Sequence, residues 1–139
     1  MDHHGWAQEV EVRFGGHEGA LTVFLGTGPT GVLVSREMRI ECGPLDGLIK
    51  GTFDFDADAV RAALHDLLKR PDLSGEVRIA EAEHGEFRAW INLDHGTGVL
   101  STRFESEFGL QDGGGVLTLT TDQSYLRETL RVLDGLRRT

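Results

Sequence analysis

The residues best suited to chemistry stand at the ends of two successive predicted hairpins. His84 and Glu86 flank the first turn, and Asp94 and His95 lie in the second. Imidazole and carboxylate groups that meet in one cluster can bind a transition metal or transfer protons. One hypothesis is therefore a small-ligand or metal-assisted enzyme, in which at least two of His84, Asp94, His95 and Cys42 converge in a pocket. Turn residues are more often simply exposed, so the sequence predicts no metal site and no cofactor, and His84, Asp94 and His95 stand only as candidate ligands.

Residues 26–31 read Gly-x-Gly-x-x-Gly directly after a predicted strand, which is the pattern of a dinucleotide-binding loop. In that loop the third glycine lies in the first turn of a helix, whereas here residues 32–34 are Val-Leu-Val and continue as strand. Pro29 also removes one amide donor that a phosphate would need. The segment is therefore predicted to be a hairpin loop.

Asp54, Asp56 and Asp58 alternate like the first ligands of a calcium-binding loop. The sixth position of that loop needs glycine and the twelfth needs glutamate, but this chain has Ala59 and His65 there. Asp56 and Asp58 suit the start of a helix instead, the first as N-cap and the second near the positive end of the helix dipole.

The cysteine and the closely spaced glutamates are not predicted to act in covalent or acid–base catalysis. Cys42, the single cysteine, follows an acidic residue at a predicted strand end, which disfavours a thiolate and indicates a buried, inert thiol. Glu81 and Glu83, like Glu105 and Glu107, lie two residues apart on one strand face. A catalytic pair needs two different environments, so these carboxylates are predicted to be solvated.

Hydrophobic periodicity predicts the elements that position these residues. Alternation of Val10, Val12 and Phe14 with charged residues indicates a half-buried strand, and similar patterns recur along the chain. The predicted strands cover residues 8–14, 20–25, 32–41, 48–55, 75–83, 86–93, 97–108 and 115–120. Helical spacing of apolar residues predicts one helix that begins after Asp56 and stops before Pro71, and a second that begins near Thr121 or Asp122.

The predicted order is ββββαββββα, which indicates an α+β fold with a mainly antiparallel sheet, either curled or in two layers, and two helices. A chain of 139 residues, with 39% hydrophobic and 27% charged residues, suits a single domain over residues 1–139. Trp90 lies on the polar side of its strand's alternation and is predicted to pack in a second core or to contact a protein, with the core favoured.

Two stretches together account for the whole net charge, and the rest of the chain is close to neutral. The chain has a formal charge of −9; residues 41–58 hold five acids against one Lys, and residues 81–112 hold seven acids against two Arg. Such regions repel phosphate backbones and attract basic partners, so nucleic acid is not an expected ligand.

No apolar run is long enough to span a bilayer, and the N-terminus lacks the basic and apolar parts of a signal peptide. Together with the lone cysteine, this predicts a cytoplasmic protein without a membrane partner. Twelve Arg against two Lys is typical of a GC-rich bacterial genome.

Residues 116–126, VLTLTTDQSYL, are followed by a helix with leucine spacing. This ending, together with the order of elements, resembles the WapI-type immunity proteins and several actinobacterial families of unknown function. Its specific part is the short stretch from Asp122 to Leu126. The resemblance implies a protein that binds and blocks a toxin domain, and it brings no catalytic residues.

The leading hypothesis is a non-enzymatic interaction domain whose acidic surface binds a basic protein. An immunity protein that binds and neutralises a toxin domain is the specific example considered. Acid that only aids solubility explains the charge equally well. A scaffold that self-associates through a strand edge is a third hypothesis, and the oligomeric state stays open. The candidate partner contacts are Glu81, Glu83, Glu86, Asp94, Glu105, Glu107 and Asp112.

Overall fold

The computed structural model describes residues 9–27, 33–82, 87–106 and 113–136. Its elements follow the predicted order ββββαββββα, so the α+β fold is confirmed. The strands are β1 Glu9–Gly15, β2 Gly19–Thr27, β3 Leu33–Cys42, β4 Leu45–Asp54, β5 Gly75–Ala82, β6 Phe87–Asp94, β7 Thr97–Ser106 and β8 Gly113–Asp122. The helices are α1 Ala57–Lys69 and α2 Gln123–Asp134. No helix in these residues is long and apolar enough to cross a membrane.

The strands pair in sequence order, each antiparallel to the next. Within each set of four strands the described ladders are long. Between the two sets, the described residues of β4 and β5 pair Phe53 with Ala82 and Asp54 with Glu81, which joins all eight strands in one sheet. Helix α1 follows the first half and packs against β5, whereas α2 follows the second half and packs against β1. Each helix thus covers the first strand of the other half.

The sheet is curled, because its two outer strands meet at one end. The side-chain hydroxyl of Thr121, in β8, donates to the carbonyl oxygen of Gly15 in β1 at 2.8 Å. The hydroxyl of Thr129, in α2, donates to the carbonyl oxygen of Arg13 at 2.6 Å. We call this contact of β1 with β8 and α2 the seam. Strand β1 thus has two edge carbonyls occupied, which argues against self-association through that part of its edge.

The core lies between the inner face of the sheet and the two helices. Val12 and Phe14 are fully buried while Glu11 and Arg13 are exposed, as the alternation in β1 predicts. The largest fully buried side chains come from both halves of the sheet and both helices: Phe14, Leu21, Leu25, Met38, Leu64, Leu67, Ile91, Leu93, Leu100, Leu119, Leu126 and Leu133. Burial of a side chain of this size contributes roughly 1.5–3 kcal/mol, so this cluster is the main stabilising feature of the fold.

Both helices begin at an aspartate. The Asp56 carboxylate accepts a hydrogen bond from the Ala59 amide at 3.1 Å, which confirms its predicted role as N-cap of α1. Asp122 caps α2 in the same way, accepting from the amides of Ser124 at 2.8 Å and Tyr125 at 3.3 Å. Helix α1 ends just before Pro71, as predicted.

Several sequence predictions need correction. Strand β4 begins at Leu45 rather than at residue 48, because the turn is only Gly43 and Pro44 and Leu45 already pairs with Cys42. Strands β2 and β8 are also longer than predicted at both ends.

Two side chains lie in environments other than those predicted. Cys42 is a free cysteine that is partly exposed rather than buried. Trp90 does not join a core; it lies half-buried on the outer face of the sheet, paired with Arg78 and Ser101.

Thr27 and Leu33 are antiparallel partners at the ends of β2 and β3, so the strands that flank the predicted hairpin loop pair with each other. Gly26 and Thr27, predicted as part of that loop, belong to β2. Residues 28–32 themselves lie outside the described residues.

Candidate protein-binding face

Only some of the predicted partner-binding residues lie in the part of the chain that the structure describes. Glu81 lies in β5 and Asp94 ends β6, whereas Glu105 lies in β7 with a side chain that is not described. Glu83, Glu86, Glu107 and Asp112 lie outside the described residues, and so does the candidate ligand His84.

The charge of Glu81 is balanced by neighbouring arginines. Its carboxylate lies 3.3 Å from Nε of Arg88 on β6 and 4.0 Å from the guanidinium of Arg78 on its own strand. A carboxylate between two guanidinium groups offers a basic partner little net charge. Glu81 is therefore a poor attractor for a cation, although it belongs to the stretch that the sequence marks as acidic.

Asp94 and His95 do meet, as the enzyme hypothesis requires, but they are neighbours in sequence. Nδ1 of His95 lies 2.7 Å from the Asp94 carboxylate, and both side chains are more than 80% exposed. The Ser74 hydroxyl approaches the same carboxylate oxygen at 3.4 Å and accepts from the His95 amide, so it does not bond to the imidazole ring. Nucleophilic catalysis needs a serine bonded to its base, and this arrangement lacks that bond.

A metal site does not form from the side chains that are described. In that part of the chain, no group of three or more His, Cys, Asp or Glu side chains is placed to hold an ion. Cys42 ends β3 and pairs with Gly19 and Leu45, in a different hairpin from Asp94 and His95.

Carboxylates of the first acidic stretch, residues 41–58, form ion pairs with arginines of the same chain. Asp46 accepts two hydrogen bonds from the Arg39 guanidinium, at 2.6 and 2.9 Å, and Glu41 lies 3.8 Å from it. The hydrogen bond from Arg39 lowers the pKa of Asp46 below its usual value. Asp58 forms an ion pair with Arg61 at 3.1 Å. These carboxylates therefore have intramolecular partners already.

Charged side chains on the outer face of β5–β8 are arranged in rows that run across the strands. Side chains that point outward form rows across the strands, because residues paired in antiparallel strands share a face. From one end to the other the rows are Asp94–Thr97–Asp122; Glu76–Asn92–Val99–Thr120; Arg78–Trp90–Ser101–Thr118; and Glu81–Arg88–Arg103–Val116.

The two ends of this outer face differ in charge. We call the first two rows, with Glu76, Asp94 and Asp122, the acidic end, and the last two rows, with three arginines and Glu81, the arginine end. Within the part of the chain that is described, no Arg or Lys forms an ion pair with a carboxylate of the acidic end. Val99, which is 37% exposed, belongs to the acidic end, and Trp90 lies beside Arg78 in the adjoining row of the arginine end.

The acidic end is held by three segments of the chain. The Gly96 amide donates to the Leu73 carbonyl at 3.0 Å, and the Gln123 amide donates to the Gly96 carbonyl at 2.8 Å. His95 and Gly96 form a two-residue turn in which both have positive φ, 55° and 86°, as a type I′ hairpin turn requires. The loop after α1, the β6–β7 hairpin and the start of α2 are thus tied together, so the backbone that carries Asp94 and Asp122 is held in place.

A groove opens beside the acidic end. Its volume is about 460 Å³, and it is lined by the β1–β2 turn, by β7 and β8, and by the first turn of α2. The lining residues are His17, Thr97, Gly98, Val99, Thr120, Thr121, Asp122 and Tyr125. The pKa of Asp122 is held below its usual value, chiefly by the hydrogen bond from the Ser124 hydroxyl and also by the amides of Tyr125 and Ser124. Asp122 is therefore ionised at neutral pH.

Sequence reasoning found Asp94 but missed the other two carboxylates of the acidic end. Glu76 lies before the acidic stretch, and the alternation of Glu76 and Arg78 around a buried Val77 could have placed both on an outer face. The sequence predicts Asp122 as a helix start, and the structure shows it as the N-cap of α2. Comparison of the chain with models of protein families, with curated proteins and with solved structures found no match.

Proposed function

We propose that this protein is a non-enzymatic interaction domain that binds a basic protein domain through the acidic end of its outer face. The observation that carries the proposal is the separation of charge on that face. Glu76, Asp94 and Asp122 stand together at one end, and Arg78, Arg88 and Arg103 outnumber Glu81 at the other.

The dimensions of the acidic end suit a protein partner. Asp94 and Asp122 are separated by one strand, which puts their backbones about 10 Å apart at the usual strand spacing. Carboxylates at that distance can meet cationic side chains that project from separate positions on a folded surface. Because hydrogen bonds tie the three supporting segments together, little ordering is needed when a partner binds.

The apolar residues beside the acidic end complete the pattern of a binding surface. Exposed Val99 shares a row with Glu76, and half-buried Trp90 lies in the adjoining row beside Arg78. Both can be covered by a partner, while charged and polar side chains surround them. Interfaces commonly have such an apolar centre with a polar rim, and tryptophan is common among residues that dominate binding energy. Opposite charge at the rim speeds encounter and selects the partner.

An immunity protein is the specific form of this function that we favour. Toxin domains that act on nucleic acid tend to be basic, and an acidic face complements them. The resemblance of residues 116–126 and of the element order to WapI-type immunity proteins supports the same choice. The protein would then act by covering the toxin surface, and it would need no catalytic residue of its own.

The experiment begins with capture of the partner from the native host at low salt, followed by purification and titration by calorimetry. Two matched double variants are compared. Glu76→Gln with Asp94→Asn removes two charges from the acidic end, and Glu11→Gln with Glu37→Gln removes two charges from the outer face of β1–β4. We expect the first pair to weaken binding roughly two- to thirtyfold and to reduce its salt dependence, and the second pair to change it little.

Growth of cells that express the captured partner tests the immunity function. Co-expression of the wild-type chain should restore growth, and the acidic-end double variant should restore it less than the control variant. If the host yields no basic partner, or if both double variants bind equally well, the proposal is wrong.

A further inference from the structure

The groove beside the acidic end combines a concave shape with a carboxylate and an aromatic ring in its lining. It is walled by β7 and β8 on one side, by the first turn of α2 on another, and by His17 of the β1–β2 turn. A volume of about 460 Å³ lies within the range of roughly 300–1,000 Å³ that is usual for binding clefts. It can admit an extended side chain together with part of the segment that carries it.

The Asp122 carboxylate gives the groove its charge. Its Oδ1 atom accepts from the Ser124 amide, the Ser124 hydroxyl and the Tyr125 amide. Its Oδ2 atom takes part in none of these bonds and remains available as an acceptor. Since the carboxylate already occupies the free amides at the start of α2, an anionic ligand is disfavoured there and a cationic one is favoured.

The remaining walls suit a long cationic side chain. Val99 and the ring of Tyr125 offer apolar surface for a methylene stem, and a tyrosine ring can also attract a guanidinium. The hydroxyls of Thr97 and Thr120 add acceptors next to Asp122. A planar guanidinium carries five donors and can use several acceptors at once, whereas an ammonium is a compact and strongly hydrated charge.

We infer that this groove is the anchor site for one arginine side chain of the basic partner, with Asp122 as its counter-ion. The inference rests on the proposed function, because it assigns a specific contact within the same interface. The proposed function requires only that the acidic end attracts a basic partner. The anchor site requires, in addition, that a cationic side chain binds in the groove in a saturable way.

The test uses the intact protein and two peptides of alternating glycine with arginine or with lysine. Amide resonances are followed by NMR during each titration. We expect the arginine peptide to shift Thr97, Val99, Thr120 and Tyr125 in a saturable way and the lysine peptide to bind less tightly. Asp122→Asn keeps the helix cap and the volume of the side chain, and it should weaken the arginine peptide roughly tenfold, the value of one charge-assisted hydrogen bond.

Two control variants separate this inference from the proposed function. Asp94→Asn removes a charge of the acidic end that does not line the groove, and Glu81→Gln removes a charge at the arginine end. If Asp94→Asn weakens the peptide but Asp122→Asn does not, the groove is not an anchor site and the acidic end still binds cations. If neither Asp94→Asn nor Asp122→Asn weakens peptide binding, both the anchor site and the proposed function are wrong. The same holds if the amide resonances that shift on titration lie away from the outer face.

Discussion

Thr121 and Gly15 are 106 residues apart in sequence, yet the Thr121 hydroxyl donates to the Gly15 carbonyl oxygen at 2.8 Å. This bond joins β8 to β1 at the seam, beside the bond from Thr129 to Arg13. A strand at the edge of a sheet exposes backbone groups that can pair with another chain. Side-chain hydroxyls that occupy two of these carbonyls thus protect the fold, and they also hold the β1–β2 turn next to the groove.

Replacement of Thr121 by valine should destabilise the protein. The valine keeps the shape of the buried side chain but leaves the Gly15 carbonyl without its donor, which we expect to cost about 1–3 kcal/mol of unfolding free energy. Urea denaturation measures the change. Thr118→Val on the same strand is the matched control, because Thr118 is exposed, and it should change the free energy by less than about 0.5 kcal/mol. Equal effects of both substitutions would contradict the role of the seam.

Gly16 is needed where the β1–β2 turn meets β8. A Cβ atom added there would lie 2.1 Å from the carbonyl oxygen of Thr120, so the backbones would have to separate. We expect Gly16→Ala to lower the unfolding free energy by about 1–3 kcal/mol. Gly47→Ala is the control, since its Cβ would meet nothing nearer than Ile40 at 3.9 Å, and it should leave stability unchanged or raise it by about 0.4–1 kcal/mol. Thermal unfolding of the two variants distinguishes these outcomes.

The order of elements could be predicted from the sequence because each element carries its own local pattern. The alternation in β1, the leucine spacing in α1 and the capping aspartates depend only on neighbouring residues. The seam could not be predicted, since it depends on a pairing between residues 106 apart that single hydroxyl groups maintain. The position of Trp90 was predicted wrongly for a related reason. Its strand alternates correctly, but a large apolar side chain on the polar face suggested a second core, and Trp90 is not among the core residues of the described part of the chain.

The candidate site was only partly predictable. The charge of the later hairpins and the position of Asp94 follow from composition and turn patterns. The grouping of Asp94 with Glu76 and Asp122 depends on the register of four strands, which no local pattern fixes. The balance of Glu81 by Arg78 and Arg88 depends on the same register, so a count of acids along the chain overestimates the charge around Glu81.

Asp46 provides a test of how the first acidic stretch is neutralised. The hydrogen bond from Arg39 lowers the pKa of Asp46, so Arg39→Gln should return that pKa toward its usual value of 3.8. NMR titration of the Asp46 carboxyl carbon measures the change. Arg61→Gln is the control, because Arg61 pairs with Asp58 instead, and it should leave the pKa of Asp46 unaltered. If Arg39→Gln has no effect, the carboxylates of this stretch are freer for a partner than their geometry indicates.

Asp122 should make stability depend on pH in the acidic range. Hydrogen bonds from Ser124 and Tyr125 hold the pKa of Asp122 in the folded protein below its ordinary value of 3.8. A lowered folded-state pKa stabilises the protein above the ordinary value, and this stabilisation is lost as the pH falls through the folded-state pKa. We therefore expect Asp122→Ala, which removes the cap, to cost about 1 kcal/mol at pH 7 and less below pH 3.8. Asp122→Asn retains the cap, so urea denaturation across pH should give it a smaller loss at pH 7 and a flatter acid profile than the wild type; parallel profiles for all three proteins would contradict this role.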